Sequence, residues 1–197
     1  MTDNSKTFLH KTITGLAEMS VSSLEKLFEI ATQRQFAKGE IILQQGKICK
    51  HILFVEKGYL RTFFDKDGKE INTNFTFEGN FTTNLKSLRS AVSSDTSTQA
   101  GEPTTLYEFE KDKLLGLYEV SPEVESFGRK LLEQLLIDQE EHANLFKIYS
   151  PTERYQYLLT NQPEILHRIS LTQLASYLGM ARETVSRIRK LKPGKTL

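Results

Sequence analysis

Cysteine is nearly absent from this sequence of 197 residues, and tryptophan is absent altogether. The single cysteine, Cys49, excludes an intramolecular disulfide, a zinc knuckle and a cysteine-held iron–sulfur cluster. The four histidines include His10, His51 and His142, which form no recognisable set of metal or haem ligands with Cys49. The sequence therefore predicts neither a metal site nor a cofactor.

Long apolar runs are also lacking, because no stretch of 18 apolar residues occurs. The N-terminus is polar and lacks the order of charged, apolar and small residues that marks a secretion signal. No nucleophile elbow and no phosphate-binding loop is present. We therefore expect a cytoplasmic protein that has no membrane partner and is not an enzyme.

Charge is distributed unevenly, although the net charge of the chain is only +1. Residues 150–197 contain eight Lys or Arg and three acidic residues, a net charge of +5, which leaves −4 for the other 149 residues. A small basic module joined to a mildly acidic one favours a polyanionic partner for the C-terminal part alone.

The N-terminal two thirds predict a loose arm over the first dozen residues, then a helix opened by the capping-box spacing at Ser22 to Glu25, then a β-rich region. Short apolar or alternating runs separated by glycine turns are typical of an antiparallel jelly roll or barrel. The predicted strands are residues 40–43, 52–56, 59–64, 72–77 and 104–109, with a hairpin turn at residues 65–68. Residues 82–102 contain a short helical piece and a Ser/Thr-rich segment, either a ligand-holding excursion or a mobile loop.

A long helix is predicted from about Pro122 to Tyr149, with an apolar stripe wide enough to serve two surfaces. The stripe indicates either a dimerisation helix or a helix buried in a monomer, and the spacing does not choose between them. The residues assigned to a dimer interface are Leu132, Leu135, Leu136, Gln139, Ala143 and Phe146.

The strongest boundary lies at Ser150, where Ser150 as N-cap, Pro151 and Glu153 match a capping box. The sequence thus predicts an α+β protein in three parts. These are an N-terminal helix with a β-barrel or jelly-roll sensor domain (1–120), a long helix (121–149) and a small helical domain (150–197).

The segment Ser170 to Lys190 has the pattern of a helix-turn-helix. A first helix has its apolar residues on one face and ends at Gly179, and a second helix begins at Arg182. Val185 and Ile188 lie on the buried side of that second helix, opposite a polar face with basic ends. The alternative, a solvated charged helix in an unrelated α-domain, explains the turn glycine and the charge placement less well.

The chemistry of the polar face favours DNA. Arg182 can donate two hydrogen bonds to guanine, and Glu183 can accept one from cytosine N4. Arg187 lies one turn further on, where it can reach a base or a phosphate. The full set of predicted DNA-binding residues is Arg182, Glu183, Ser186, Arg187, Ser170, Thr172, Arg189 and Lys190.

The run Gly179-Met180-Ala181-Arg182-Glu183-Thr184-Val185-Ser186-Arg187, after a jelly roll and a long helix, resembles the Crp/Fnr family of bacterial regulators. The spacing of five glycines is similar to that in the family's cyclic-nucleotide-binding barrel. These glycines are Gly39, Gly46, Gly58, Gly68 and Gly79. The resemblance implies base reading by Arg182, Glu183 and Arg187 and a homodimer joined through the long helix. It also implies double-stranded DNA as partner, and RNA polymerase as a further candidate partner.

Two departures from the family concern its pockets and its DNA contacts. Members that bind cyclic AMP have Gly-Glu and Arg-Ser/Thr pairs around the phosphate, whereas this chain has Gly79-Asn80 and Ser94-Asp95. The pocket is therefore predicted to hold either an unknown effector other than cyclic AMP or no ligand. The predicted pocket residues are Gly79, Asn80, Ser94, Asp95 and Gln139. Only seven residues follow Lys190, so the wing of the winged helix is predicted to be shortened or missing. This shortening motivates the alternative of a sensing or protein-binding module that has lost specific DNA binding.

Overall fold

Two four-stranded antiparallel sheets form the centre of the computed structural model, which describes residues 3–190. One sheet has the strand order β1-β8-β3-β6 and the other the order β2-β7-β4-β5. The strands are β1 (Ala31–Phe36), β2 (Ile41–Leu43), β3 (His51–Lys57), β4 (Leu60–Lys66), β5 (Lys69–Thr76), β6 (Phe81–Thr82), β7 (Ser97–Ala100) and β8 (Thr104–Glu110). This is the strand order of a jelly roll, which confirms the predicted α+β architecture. We call residues 31–110 the jelly roll.

Helices precede, interrupt and follow the jelly roll. They are α1 (Asp3–Leu16), α2 (Val21–Glu29), α3 (Leu85–Ser90), α4 (Lys111–Val120), α5 (Pro122–Ile148), α6 (Pro151–Asn161), α7 (Pro163–Arg168), α8 (Leu171–Leu178) and α9 (Arg182–Lys190). The long helix α5 and the pair α8 and α9 have nearly the bounds that the sequence predicts.

The prediction of a loose N-terminal arm was wrong, because α1 is a helix in that region. Leu9 and Ile13 are almost fully buried and join Phe54 of β3 and Phe127 of α5 in the largest core cluster. The arm is therefore helical because tertiary packing buries one side of it. The predicted start of α2 was also two residues late, since Ser20 is the N-cap and its side chain accepts from the Ser23 amide.

The Ser/Thr-rich segment contains β7, an interior strand between β2 and β4 that the sequence analysis missed. Ser97 and Thr98 are buried despite their polarity, and Ser97 Oγ accepts from the Gln45 amide at 2.9 Å. A polar strand is stable here because its neighbours satisfy its hydrogen-bonding groups. The segment is thus part of the sheet, although its polar composition does not indicate a buried strand.

The predicted hairpin turn at residues 65–68 is confirmed, because it joins β4 to β5. Asp67 and Gly68 both have positive φ, and Asp65 Oδ1 accepts from the Gly68 amide at 2.9 Å. Two successive residues of positive φ give the turn a twist that matches the strands it connects.

The four C-terminal helices begin with the predicted capping box at Ser150 and Glu153. Their buried residues form one cluster with Tyr59, Phe75 and Phe77 of the jelly roll. The C-terminal helices therefore complete their core with residues from the jelly roll. The predicted shortening of the wing concerns residues 191–197, which lie outside the described residues.

Gly58 offers a test of this packing. A Cβ added at Gly58 would lie 2.6 Å from Thr104 Oγ1 and 2.8 Å from the Pro103 carbonyl oxygen, whereas at Gly46 no atom lies within 4 Å. Both glycines have φ near +86°. Gly46→Ala should cost only the left-handed penalty of about 1 kcal/mol, and Gly58→Ala at least about 2 kcal/mol more, because the Cβ overpacks the β3–β4 turn. Urea unfolding of both variants measures the difference, and equal losses would contradict the close approach.

Candidate nucleic-acid interface and small-molecule cleft

The turn between α8 and α9 is shaped by backbone hydrogen bonds at the end of α8. Gly179 adopts φ +65°, and the Met180 amide donates to the Ala175 carbonyl at 2.9 Å. Such a left-handed residue after the last helical turn is the usual way to end a helix while satisfying its free carbonyls. Ser170 caps the start of α8 in a capping box with Gln173. The geometry of the two-helix unit is therefore specified by local sequence.

Helix α9 divides sharply into a buried edge and an exposed face. Val185 is fully buried and Ile188 nearly so, while Arg182, Glu183 and Arg187 are exposed. A groove of about 510 Å³ runs along the exposed face and is lined by Leu171, Arg182, Glu183, Ser186, Arg187 and Lys190. Among the described residues no ion pair engages these side chains. Their hydrogen-bonding groups are thus available to a ligand.

The remaining predicted DNA-binding residues lie around this face. Ser170 and Thr172 are exposed at the start of α8, and Arg189 is exposed on α9 without lining the groove. Because Ser170 caps its own helix, its hydroxyl is already engaged with the Gln173 amide at 3.2 Å. The structure therefore groups five of the eight predicted residues in one groove and places three at its margins.

Helix α8 covers β5, which is an edge strand of its sheet. The Asn72 amide donates to Ser176 Oγ at 3.0 Å, and Ser176 Oγ donates to the Glu70 carbonyl at 3.3 Å. Edge strands present unpaired amides and carbonyls, which proteins generally cover. One serine hydroxyl pairs two of these groups and so joins α8 to the jelly roll.

Arg168, at the end of α7, binds two carboxylates of the jelly roll. Its two terminal nitrogens donate to Glu78 at 2.7 and 2.9 Å, and one of them donates to Glu102 at 2.5 Å. The guanidinium also lies over the rings of Tyr59 and Phe77, at 5.4 and 5.0 Å from their centroids. Bidentate pairing and stacking are the arrangements for which arginine is best suited.

The pKa of Glu78 reflects this pairing. Burial of the carboxyl would raise the pKa, but hydrogen bonds from Arg168 and from the amides of Glu78 and Gly58 bring it below its usual value. Glu78 therefore contributes to docking when ionised, above the ordinary carboxyl pKa, and the contribution is lost as the pH falls through the lowered pKa.

A cleft of about 750 Å³ opens where the jelly roll, α5 and the C-terminal helices meet. Three of the five predicted pocket residues, Asn80, Asp95 and Gln139, line it, and Gly79 and Ser94 do not. Its walls come from strands β4 to β7, from α3 and the loop before it, from α5, and from the C-terminal helices through Tyr157, Leu158, Asn161, Gln162, Glu164 and Tyr177.

This chain is similar to known proteins, both in its jelly roll and over most of its length. Residues 33–121 match the cyclic nucleotide-binding domain. The transcriptional activator protein Anr of Pseudomonas aeruginosa is 27% identical over 186 residues, which cover 86% of this chain and 74% of Anr. These likenesses support a transcription regulator of the Crp/Fnr type.

Solved structures show the same fold as this chain. FixK2 of Bradyrhizobium japonicum has a TM-score of 0.68 at 22% identity, over 81% of this chain and 83% of FixK2. CLP of Xanthomonas campestris, a c-di-GMP responsive regulator, has a TM-score of 0.68 at 19% identity, over 87% and 90% of the two chains. The two structures extend the likeness beyond the jelly roll to most of the chain.

The loop at Ser94 forms hydrogen bonds within the chain. Asn84 Nδ2 donates to Ser94 Oγ at 2.8 Å, and Ser94 Oγ donates to the Thr96 carbonyl at 2.7 Å. Ser94 is 2% exposed. A bound phosphate would need donors from this loop, but the hydroxyl of Ser94 is already committed.

Charge along the cleft is predominantly negative. Among the described residues that line the cleft, Lys86 is the one lysine or arginine, whereas four carboxylates line it, those of Asp95, Asp138, Glu141 and Glu164. An anionic phosphodiester needs compensating cations when it leaves water. The cleft therefore suits a neutral or cationic molecule better than a cyclic nucleotide.

Of the other three predicted pocket residues, Gly79 and Asn80 lie in the turn between β5 and β6, and Asn80 and Gln139 line the cleft. Gly79 has φ +82°, and a Cβ there would lie 3.0 Å from the Phe8 ring, so the position serves a tight turn. Asn80 Nδ2 donates to the Phe77 and Glu78 carbonyls at 3.4 and 3.2 Å. Gln139 is exposed on α5, where it faces the cleft and the predicted dimer interface alike.

The predicted dimer stripe on α5 is partly covered within the chain. Leu135 packs against the main core, and Phe146 is half-buried under Arg154, whose guanidinium lies 4.9 Å from the ring centroid. Leu136 is 59% exposed and Leu132 is 36% exposed. Gln139 and Ala143 are exposed as well. The four exposed residues form an uncovered ridge along the helix.

Arg154 connects α5 to the turn of the helix-turn-helix, a role that the sequence analysis missed. Its side chain donates to the carbonyls of Phe146 and Tyr149 at 3.0 Å each and to that of Leu178 at 3.2 Å. These carbonyls lie at the C-terminal ends of α5 and α8, where a cation is favoured. The only sequence signal was a basic residue just after the α5–α6 boundary.

Between residues 3 and 190 no group of three or more His, Cys, Asp or Glu side chains is arranged to hold a metal ion. Over the same residues, every helix is too short or too polar to cross a membrane.

Arg168→Met tests the docking of the C-terminal helices. Loss of charged hydrogen bonds to Glu78 and Glu102 should lower the free energy of unfolding by about 2 kcal/mol. The matched control, Arg129→Met, removes the exposed α5 pair with Glu133 and should cost less than about 0.5 kcal/mol. Chemical denaturation at neutral pH measures both, and equal small effects would show that Arg168 does not stabilise docking.

Proposed function

We propose that this Crp/Fnr protein regulates transcription by binding a two-fold symmetric DNA site as a homodimer, under control of an effector other than cyclic AMP. The observation that carries the proposal is the exposed face of α9, where Arg182, Glu183 and Arg187 line one groove and no ion pair in the described chain engages them. The alternative of a sensing module without DNA binding does not account for this unpaired basic face.

The face has the groups that reading of base edges requires. A guanidinium at position 182 can donate to guanine O6 and N7, and the neighbouring carboxylate of Glu183 can accept from cytosine N4. Helix α9 presents both near its N-terminus, the end that contacts base edges in helix-turn-helix proteins. Arg189, beside the groove, is suited to a phosphate contact that carries no sequence information.

A homodimer supplies the second recognition helix. The exposed apolar ridge of α5, with Leu132 and Leu136, supports a seam between two copies. Two copies joined along α5 would present two α9 helices to half-sites about one helical turn apart. A dimer bound beside a promoter would also lie where RNA polymerase can contact it.

The cleft between the jelly roll and the C-terminal helices supports the part of the proposal that concerns the effector. Four carboxylates and one lysine line it, and the Ser94 hydroxyl is already bonded. A neutral or cationic small molecule in this cleft would contact the sensor part and the DNA-binding part together.

Selection from a random DNA pool tests the DNA-binding proposal. The wild-type protein should recover a two-fold symmetric motif at moderate salt. Arg182→Ala should bind that motif about 10- to 100-fold more weakly and lose its preference at one base pair per half-site, because a bidentate contact is worth about 1–3 kcal/mol. Fluorescence anisotropy on the motif and on single-base variants measures both effects.

Arg189→Ala is the matched control on the same helix. It should weaken binding evenly across all sequences and reduce the dependence of affinity on salt, as expected for a phosphate contact. Recovery of no motif by the wild type, or weak binding that Arg182→Ala leaves unchanged, would favour the sensing module that has lost specific DNA binding.

The dimer is tested with a charge placed in the ridge. Leu136→Glu should convert a protein of twice the chain mass into one of the chain mass, because two carboxylates would be buried in the seam. Val120→Glu is the control, since Val120 is 64% exposed at the end of α4 and away from the ridge. Analytical ultracentrifugation distinguishes the outcomes, and a Leu136→Glu dimer would disprove this seam.

A further inference from the structure

Three aromatic rings join the three parts of the molecule. Tyr177 of α8 stacks on His142 of α5, with ring centroids 5.2 Å apart and planes at 28°. Tyr177 also contacts Phe75 of β5 edge-on, at a centroid distance of 5.3 Å. His142 also contacts Phe146 edge-on at 5.0 Å. The imidazole of His142 therefore lies at the joint between the long helix, the jelly roll and the helix-turn-helix.

The Nε2 atom of His142 is shielded from solvent and lacks a hydrogen-bond partner within the described chain. Among the described residues it is the one buried side-chain nitrogen or oxygen in that condition. Nearly all buried polar groups in folded proteins are paired, so an unpaired one in a native structure calls for an explanation. Its location at a joint between domains points to a role in movement rather than in stability.

The groups around His142 do not prepare the site for a charged imidazole. Tyr177 of α8 and Phe146 of α5 are uncharged, and burial raises the pKa of the Tyr177 hydroxyl further above its ordinary value. Arg154 of α6 is engaged by the carbonyls at the ends of α5 and α8. The other titratable groups that line the cleft beside His142 are Asp138 and Glu141 of α5, Tyr157 of α6, Glu164 of α7, Lys86 of α3 and Asp95.

None of these cleft-lining groups compensates the imidazole, because burial alone lowers the pKa of His142. Asp138 accepts a hydrogen bond from Gln134 at 2.9 Å and is exposed. The docked arrangement is therefore compatible with a neutral ring and poorly compatible with a protonated one.

We propose that His142 is a proton-sensitive joint, at which protonation of the imidazole releases α8 from α5 and β5 and so frees the helix-turn-helix to change its orientation. This inference concerns the docking of two parts of one chain, and its test does not depend on whether the protein binds DNA.

The direction of the pH effect follows from the two states. In the released state, His142 is in water and has its ordinary pKa of about 6.5. In the docked state its pKa is lower, so the released state binds protons more readily. Docking is therefore at full strength above pH 6.5 and weakens as the pH falls from 6.5 towards the lowered pKa. Glu78 titrates below this window and stays ionised within it.

Hydrogen exchange of the full chain without DNA measures docking directly. The Asn72 amide of β5 donates to Ser176 of α8, so its protection reports the contact between the two. After correction for the intrinsic exchange rate, protection of β5 and α8 should fall about 10-fold between pH 7.5 and 5.5. Protection of β3, in the opposite sheet, should not change over this range.

Two variants assign the effect to His142. His142→Phe keeps a ring against Tyr177 but cannot be protonated, so its protection should be flat with pH. His167→Phe is the control, because His167 is exposed on the neighbouring helix α7, and it should respond as the wild type does. A flat wild-type profile, or an equal response in His142→Phe, would overturn the proposal.

Titration of the imidazole by NMR in the wild-type protein covers the case in which His142→Phe fails to fold. The proposal requires the ring of His142 to titrate below 6.5. A midpoint at or above 6.5 would show that the docked site accepts the proton, and the proposal would be rejected.

Discussion

The shared core between the jelly roll and the C-terminal helices is the constraint on which the rest of the structure depends. Four helices spanning about 40 residues cannot bury enough apolar surface to be stable alone. Tyr59, Phe75 and Phe77 of the jelly roll supply the missing surface. Because these residues belong to one core cluster with the C-terminal helices, a shift of Tyr59, Phe75 or Phe77 would also shift the helix-turn-helix.

Basic residues of the C-terminal part form two groups, one that contacts neighbouring elements of the chain and one that is exposed to solvent. Arg154 and Arg168 are half-buried and bind carbonyls or carboxylates of the neighbouring elements, which holds the helix-turn-helix in place. Arg182, Arg187 and Lys190 remain exposed on one face. The positive charge of this segment therefore overstates the charge that a polyanion would meet, and Arg154 and Arg168 fix the direction in which the exposed charges point.

The cleft lies along the same junction. Its lining includes residues of the jelly roll, of α5 and of the C-terminal helices, with His142 and Tyr177 at the point where the three meet. A molecule bound there and a proton bound to His142 would act on one docking equilibrium. A ligand shifts an equilibrium towards the state that it binds more tightly. The bound molecule and the proton would therefore change the orientation of α9 through the same docking equilibrium.

Features that depend on neighbouring residues could be predicted from the amino-acid sequence. These include the capping boxes at Ser150 and Ser170, the left-handed Gly179 and the division of α9 into buried and exposed sides. Other features depend on tertiary contacts. Helix α1 is stabilised by packing, and β7 is a strand because it pairs with β2 and β4. Arg168 binds carboxylates that lie 66 and 90 residues away in the sequence. Local sequence does not identify partners this distant, because the residues around Arg168 resemble those around an arginine that faces solvent.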